Sequence, residues 1–242
     1  MRDQYAGDVS DMVKFAFLRV LAGVDRRLGV AWYYAPGHDG RPDGRHLEWR
    51  DEIAWRGLDP ELFDHLATLP ERSIAALEQA PIWPPGALCH RVPMPRPSLR
   101  DEWGAKMRAG LEEANLVFLD PDNGLGTNPE KHATFDEVRQ FRKSGRTIVF
   151  ITFPGRVKHD LQVRLLHQKL RLETGAETIF TLCSHVSVRS DKNPKLFLPR
   201  FRWFTVIDSD ATLLAKSDNF AKALSAIPRA GARIVDVTAD QQ

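Results

Sequence analysis

The feature that most constrains the fold is a pair of short segments that are apolar almost without interruption. Residues 116–119 (LVFL) and Thr147–Thr152 (TIVFIT) lack the polar–apolar alternation of a strand that has one face in solvent. A strand of this kind is covered on both faces, which is typical of the parallel sheets of α/β proteins. The two segments therefore predict interior strands with helices packed on either side.

The rest of the chain alternates between strand and helix patterns. Further strands are predicted at residues 28–34, 87–92, 177–183, 201–207 and 233–237. Helices are predicted at Val9–Ala22 and at residues 61–69, 72–80, 99–113, 134–143, 158–172 and 211–226. This alternation predicts an α/β fold with a Rossmann-like, doubly wound, mainly parallel sheet in three layers. With 242 residues and no long linker, we expect a single domain that spans residues 1–242.

Composition and charge narrow the class of protein. The 43% hydrophobic and 27% charged content is ordinary for a globular protein. The formal net charge is only +2, so any contact with nucleic acid must come from a local basic patch. No run approaches the ~18 apolar residues of a membrane span, the N-terminus lacks a signal-peptide pattern, and Cys89 and Cys183 lie in apolar stretches. We therefore expect a cytoplasmic protein with no membrane association and no disulfide.

An acidic loop follows the first of the two apolar segments. Its sequence is Asp120-Pro121-Asp122-Asn123-Gly124. In open α/β sheets, ligands bind beyond the carboxyl ends of strands, where a carboxylate is held rigidly and can accept a proton or bind a cation. Asp-Pro and Asn-Gly also form ordinary turns, but a turn does not require two acids directly after four apolar residues. Asp120 and Asp122 are therefore the candidate catalytic residues.

A second polar stretch lies before the first predicted strand. Singly, Asp8, Ser10 and Asp11 suit the start of a helix, where they cap backbone N–H groups and complement the helix dipole. Lys14 suits the edge of the apolar stripe, with its head in solvent. Structural roles thus explain each of these residues when it is taken alone.

Taken together, the two stretches resemble a known family. The string Ala6-Gly7-x-x-x-Asp11-x-x-Lys14, followed by a strand, a glycine-containing loop and later Asp120-Pro121, is similar to the J-type large-subunit (23S) ribosomal RNA adenine-N6 methyltransferases. Those enzymes place an Ala-Gly-Asn-His-Ala-Asp-x-x-Lys segment before the first strand of a Rossmann-like fold. Their catalytic loop is Asp-Pro-Pro-Tyr. The order of elements agrees over about the first two-thirds of the chain.

The resemblance implies a cofactor, an acceptor and roles for the site residues. The cofactor would be S-adenosylmethionine, with Gly7, Lys14 and Gly37 close to it, and the acceptor would be RNA or DNA. Asp120 would orient or deprotonate the acceptor, while Asp122 and Asn123 shape the acceptor pocket. In the loop after the strand that ends at Thr152, two basic side chains are placed to bind phosphate beside this pocket, namely Arg156 and Lys158.

The chain also departs from the family pattern. Asp122 replaces the second proline of the catalytic loop, and Asn123 replaces the aromatic residue that stacks on the extruded base. After the first strand, Gly37 and Gly40 stand where the family has an acid and two spaced glycines. The resemblance therefore implies methyl transfer without fixing adenine as the acceptor.

Two alternatives remain open at this stage. If Asp8, Asp11, Asp120 and Asp122 meet, they would form an oxygen-rich site for Mg²⁺ or Mn²⁺ that supports nuclease or phosphohydrolase chemistry. Alternatively, the chain is a non-catalytic nucleic-acid-binding protein on a methyltransferase-like scaffold. In residues 189–203, basic side chains alternate with aromatic ones, and aromatic rings can stack on unpaired nucleotides, although a buried strand explains the aromatic residues equally well. The residues concerned are Arg189, Lys192, Lys195, Arg200 and Arg202 with Phe197, Phe201 and Trp203.

Overall fold

The strands join in one sheet in the computed structural model, which describes residues 1–37, 40, 44, 46–155, 158–190, 192–193 and 195–236. In spatial order across the sheet, the seven described strands are β2 (Leu88–His90), β1 (Leu28–Trp32), β3 (Leu116–Asp120), β4 (Thr147–Thr152), β6 (Phe197–Ile207), β5 (Ile179–Arg189) and β7 (Ala230–Asp236).

Strand direction divides the sheet into two halves. β1 pairs in parallel with β2 and β3, and β3 pairs in parallel with β4. β6 runs antiparallel to both of its neighbours, β4 and β5, and β7 runs antiparallel to β5. β5 therefore points the same way as β1 to β4, so only β6 and β7 are reversed. The predicted Rossmann-like, mainly parallel α/β sheet is confirmed.

Helices cover both faces of this sheet, as the apolar strands require. Every residue of β1 and β3 is buried, and only the last residue of β4 is partly exposed. Burial on both faces removes each of these side chains from water and supplies most of the driving force for the sheet, about 25 cal/mol per Å² of apolar surface. One face packs against α1 (Val9–Ala22), α2 (Pro60–Ala67), α3 (Ile74–Gln79) and α7 (Ala211–Ser225), and the other against α4 (Arg100–Gly110), α5 (Phe135–Phe141) and α6 (His159–Thr174).

The β5–β6 pair differs from the predicted alternation of strands and helices. Each strand has 11 residues, and they pair antiparallel over their whole length, from Ile179 opposite Ile207 to Arg189 opposite Phe197. The described residues between them form no helix, so the connection is a hairpin. The sequence predicted both strands too short, because residues 184–189 of β5 mix polar with apolar side chains and residues 197–200 of β6 are partly or fully exposed and include Pro199 and Arg200.

The chain between β1 and α2 contains two short 3₁₀ helices that the sequence did not predict. They span Glu48–Asp51 and Ile53–Gly57, and each buries a tryptophan, Trp49 and Trp55 respectively. In the described part of the chain, none of the helices combines the length and the apolar character that a membrane crossing demands.

Candidate active site

An open cleft of about 300 Å³ lies at the carboxyl edge of β3 and β4, beside the first turn of α1. Parallel strands deliver their final residues to this edge, whereas the antiparallel β6 delivers residues from its first half. Four elements, α1, β3, β4 and β6, therefore meet in one place. The lining residues are Met1, Tyr5, Asp8, Ser10, Asp11, Lys14, Gly44, Asp120, Pro121, Asp122, Asn123, Ile151, Phe153, Arg200 and Arg202.

A buried ion triad forms the floor of the cleft. The Nζ atom of Lys14 lies 2.6 Å from Oδ1 of Asp11 and 3.0 Å from Oδ2 of Asp120. All three side chains are at most 5% exposed. A lone buried charge would cost several kcal/mol, so the lysine and the two carboxylates stabilise one another where water is largely excluded. The expectation that Lys14 lies at the helix edge with its head in solvent is wrong.

The first turn of α1 is built to present this triad. The Asp8 carboxylate caps the helix by accepting hydrogen bonds from the backbone N–H groups of Ser10 and Asp11. The second oxygen of Asp11 accepts a hydrogen bond of 2.7 Å from the backbone N–H of Gly7. Gly7 has φ +72°, and a Cβ atom there would lie 2.9 Å from Nη2 of Arg50, so the turn needs a glycine. Gly7 therefore helps to hold the Asp11 carboxylate in place through its backbone N–H group.

Burial and charge shift the pKa values of the triad in different ways. Burial raises the pKa of Asp11 from 3.8 to about 6, Lys14 opposes this shift, and the neighbouring Asp8 and Asp120 add to it. Burial alone would lower the pKa of Lys14, but the two carboxylates outweigh it and raise that pKa above its ordinary value. Lys14 therefore stays charged at neutral pH, while Asp11 is poised to take up a proton just below it.

The loop after β3 is held by hydrogen bonds to its own far side. The backbone N–H of Asn123 donates to the carbonyl of Lys131 at 3.1 Å, and that of Ala133 donates to the carbonyl of Gly124 at 3.1 Å. Gly124 has φ +81° and packs on the end of β4, where a Cβ atom would lie 3.0 Å from Cα of Thr152. Asp122 is half-buried, and its Oδ1 lies 3.0 Å from the amine of Met1.

A second buried ion pair, which the sequence analysis missed, supports this loop from the opposite face of the sheet. The Arg100 guanidinium donates to both carboxylate oxygens of Glu137, at 2.6 and 3.1 Å. It also donates to the carbonyls of Pro129 and His132 in the returning part of the loop. Glu137 in turn accepts a hydrogen bond from the Tyr33 hydroxyl. The available sequence signal was the spacing of Thr134 and Glu137, which form a capping box at the start of α5.

The structure brings most of the predicted site residues together. Six of them line the cleft: Asp8, Asp11, Lys14, Asp120, Asp122 and Asn123. Gly37 does not line it, and no described atom lies within 4 Å of the position of a Cβ there. Lys158 precedes α6 in a separate surface depression with His159, Arg164 and Arg233, so its predicted place beside Asp120 is wrong. Arg156 lies outside the described residues.

The four acids of the metal hypothesis share the cleft but do not form a metal centre. Across the residues that the structure describes, no three His, Cys, Asp or Glu side chains are grouped so that they could hold a metal ion. The physical reason is Lys14, whose ammonium already lies between Asp11 and Asp120. Asp8 is engaged as the helix cap. The predicted Mg²⁺ or Mn²⁺ site is therefore not formed by these side chains.

The chemistry of the cleft fits S-adenosylmethionine. This cofactor carries a cationic sulfonium, an ammonium, a carboxylate and a planar base. The lining offers carboxylates for the cationic groups, arginines for the anionic one, and the ring of Tyr5 for the base. At Gly44, a Cβ atom would lie 2.6 Å from the Tyr5 ring, so the backbone approaches that ring closely. The volume of about 300 Å³ lies at the lower end of small-molecule sites.

Comparison with known proteins identifies one solved structure that shares the fold. No protein-family model matches the chain, and no curated protein is similar to it in sequence. Among solved structures, the chain is similar to protein LPL1258 from Legionella pneumophila str. Philadelphia 1, described under the family model DUF519. The TM-score is 0.53 at 14% sequence identity, and the match covers 97% of this chain and 99% of that one. At this identity the match establishes a shared fold and leaves the reaction open.

Two methyltransferases also align with the chain, over smaller shares of it. Precorrin-6y C5,15-methyltransferase from Geobacter metallireducens GS-15 aligns with a TM-score of 0.34 and 12% identity, covering 80% of this chain and 87% of that one. A SAM-dependent methyltransferase from Agrobacterium tumefaciens aligns with a TM-score of 0.32 and 13% identity, covering 83% of this chain and 62% of that one.

Proposed function

We propose that the chain is an S-adenosylmethionine-dependent methyltransferase with nucleic acid as its acceptor. The observation that carries this proposal is the 3.0 Å contact between Lys14 and Asp120. It joins the two segments on which the resemblance to ribosomal RNA methyltransferases rests, although 106 residues separate them in the chain. A chance similarity of two short strings gives no reason for the strings to meet in one cleft.

The bound cofactor would supply an electrophilic methyl group, and the chain's own residues would prepare the acceptor. Asp120 stands at the rigid end of β3 and can accept a hydrogen bond or a proton from an acceptor N–H or O–H group. Lys14 fixes one oxygen of that carboxylate and compensates its charge. The other oxygen is the one that remains for the acceptor. Asp122 and Asn123 form the adjacent rim.

Phe153 compensates for the aromatic residue that the loop lacks at Asn123. It lies just beyond the end of β4, lines the same cleft as Asp120, and is half-buried. A ring at this position offers a face on which a planar acceptor group can stack, an interaction worth about 1–3 kcal/mol per base. We expect Phe153→Ala to raise KM for the acceptor more than it lowers kcat, because stacking holds substrate and transition state alike.

The first test is calorimetric titration with S-adenosylhomocysteine in buffer free of divalent metal. Micromolar binding, about −8 kcal/mol, supports the proposal, and thermal unfolding should then shift upward with ligand concentration. Once an acceptor is found, Asp120→Asn should bind the ligand nearly as well as the wild type while losing turnover. If the titration gives no heat and a high ligand concentration does not raise the unfolding temperature, the proposal is overturned.

The non-catalytic alternative is kept because the loop lacks an aromatic side chain at position 123. Under that alternative, the chain binds nucleic acid but not the cofactor. The two experiments are independent, so a protein that binds oligonucleotides and gives no heat with S-adenosylhomocysteine would favour the scaffold without its chemistry.

A further inference from the structure

The outer end of the β5–β6 hairpin extends past its neighbours in the sheet. The pairing of β4 with β6 stops at Trp203, and the pairing of β7 with β5 stops at Val186. Beyond these points the backbone N–H of Ser187 still donates to the carbonyl of Arg229 at 2.8 Å, and the two hairpin strands pair with each other as far as Arg189 opposite Phe197. β5 points in the same direction as β3 and β4, so the hairpin extends from the edge of the sheet at which the cleft lies.

Positive charge is concentrated on this hairpin. Residues 189–202 contain five basic side chains and one acid, Asp191, whereas the whole chain has a formal net charge of +2. The rest of the chain is therefore net negative, by two charges. A local field of one sign on a nearly neutral protein attracts a polyanion to that place and not to the molecule as a whole.

The basic side chains reach from the cleft to the tip of the hairpin. Arg200 and Arg202 line the cleft, and the Arg202 guanidinium lies 4.9 Å from the centre of the Phe153 ring. The Nε of Arg200 is buried and has no hydrogen-bond partner among the residues that the structure describes. At the tip, Lys192 and Lys195 are exposed. Basic side chains therefore stand both in the cleft that contains Asp120 and at the tip of the hairpin.

Local hydrogen bonds give the described part of the tip a defined shape. The backbone N–H of Ser190 donates to the carbonyl of Leu196 at 2.9 Å, and that of Leu196 donates to the carbonyl of Asn193 at 2.9 Å. The side chains of Ser190 and Asn193 accept hydrogen bonds from the backbone N–H groups of Lys192 and Lys195. The two lysines thus lie on a turn that backbone and side-chain hydrogen bonds stabilise.

We propose that the β5–β6 hairpin is an arm that binds a single-stranded segment of nucleic acid and leads one nucleotide into the cleft. Lys192 and Lys195 contact phosphates at the tip, and Arg200 and Arg202 contact them at the mouth of the cleft. The cleft, with about 300 Å³, has the dimensions of a small-molecule site, which suits a single base drawn out of its strand. The role of the nucleotide as methyl acceptor rests on the proposed function, but binding by the arm does not.

Fluorescence anisotropy with labelled single strands of about 12 nucleotides tests the arm. The test variant is Lys192→Gln/Lys195→Gln, at the tip and outside the cleft. The matched control is Lys106→Gln/Lys222→Gln, which removes the same charge from exposed faces of α4 and α7. We expect the tip variant to bind about tenfold more weakly at 0.1 M salt and to reduce the magnitude of the salt slope by about 1.4 units, since two phosphate contacts are lost. The control should stay within about twofold of the wild type.

Separate results bear on the arm and on the proposed methyltransferase function. Equal binding by the tip variant and the wild type, or no binding by the wild type at low salt, overturns the arm even if S-adenosylhomocysteine binds normally. Preference for a duplex over both single strands overturns the single-stranded assignment, while RNA and DNA strands of one sequence identify the polymer. If the protein binds oligonucleotides but not the cofactor, the proposed arm is supported and the proposed methyltransferase function is overturned.

Discussion

At the scale of single residues, Lys14 carries the largest energetic consequence. Its ammonium is the counter-ion shared by two carboxylates that are almost wholly buried. Lys14→Met keeps the volume but leaves Asp11 and Asp120 without that partner, so we expect the free energy of unfolding to fall by about 3–5 kcal/mol. Urea denaturation measures this loss.

Two further variants make the Lys14 experiment specific. Lys14→Met/Asp11→Asn removes one of the stranded charges and should recover part of the stability. Lys106→Met, on an exposed face of α4, should cost less than about 1 kcal/mol. If Lys14→Met costs no more than Lys106→Met does, the triad is not desolvated in solution and its proposed role in fixing Asp120 fails.

Asp11 gives the site a pH dependence of unusual sign. Its folded-state pKa of about 6 lies above the unfolded value of 3.8, so the folded protein holds more protons between these values. The contribution of this group to stability is therefore greatest at low pH, falls as pH rises through that window, and is fully lost above about pH 6. Most surface carboxylates paired with a base act in the opposite sense.

The measurement compares the wild type with Asp11→Asn in denaturant at a series of pH values. We expect the stability of the wild type relative to the variant to decrease from pH 4 to pH 7. A difference that is flat with pH, or that increases, would show that Asp11 is ionised throughout this range and that Lys14 outweighs burial.

At the scale of elements, the loop after β3 depends on glycine at one point. Gly124 and Gly145 both have positive φ, +81° and +75°. A Cβ at Gly124 would press on Thr152, whereas no described atom lies within 4 Å of a Cβ at Gly145. Both alanine variants bear the left-handed backbone cost of about 1–2 kcal/mol, and only Gly124→Ala adds a steric clash.

Thermal unfolding of the two glycine variants checks this point. Gly124→Ala should unfold at the lower temperature, and it should also weaken binding of S-adenosylhomocysteine because the clash displaces the Asp120 loop from the end of β4. Equal effects of the two substitutions would mean that the loop has room to shift and does not position Asp120.

Periodicity predicted the interior elements closely. The bounds of α1 and β4 agree with the sequence prediction, because apolar residues at helical spacing and a continuous apolar run both report local burial. The long hairpin was not predicted. The outer half of β5 mixes polar with apolar residues and that of β6 has no buried residue, and residues 189–202, which include the turn between them, carry five basic side chains, a pattern typical of a loop.

Site residues that lie in one short stretch of sequence were predicted. Residues that reach the cleft only through the order of strands in the sheet were not placed there. Asp120 ends a recognisable strand, and Asp8, Asp11 and Lys14 lie close together at the start of one helix, so all four were found. The sequence named Arg200 only as a nucleic-acid contact, and its place in the cleft follows from the pairing of β6 beside β4, an adjacency that no spacing in the sequence reveals. Lys158 was misplaced because it precedes α6, which packs on the other face of the sheet.

At the scale of the whole molecule, the two halves of the sheet differ in how far along the chain their contacts reach. In the parallel half, strands that are far apart along the chain pair with each other, as Leu28 does with Leu116. The hairpin instead closes locally, with Arg189 opposite Phe197. Loop closure costs more entropy for the distant pairs, so local pairs form first during folding.

We therefore expect the hairpin to form early in folding. β4 has a free edge until β6 is in place, because β6 is its neighbour on the side away from β3. We expect pulse-labelled hydrogen exchange during refolding to protect amides of β5 and β6 before those of β1 and β2. Earlier protection of β1 would contradict this order. The arm proposed to bind nucleic acid would then also be the segment on which the C-terminal half of the sheet nucleates.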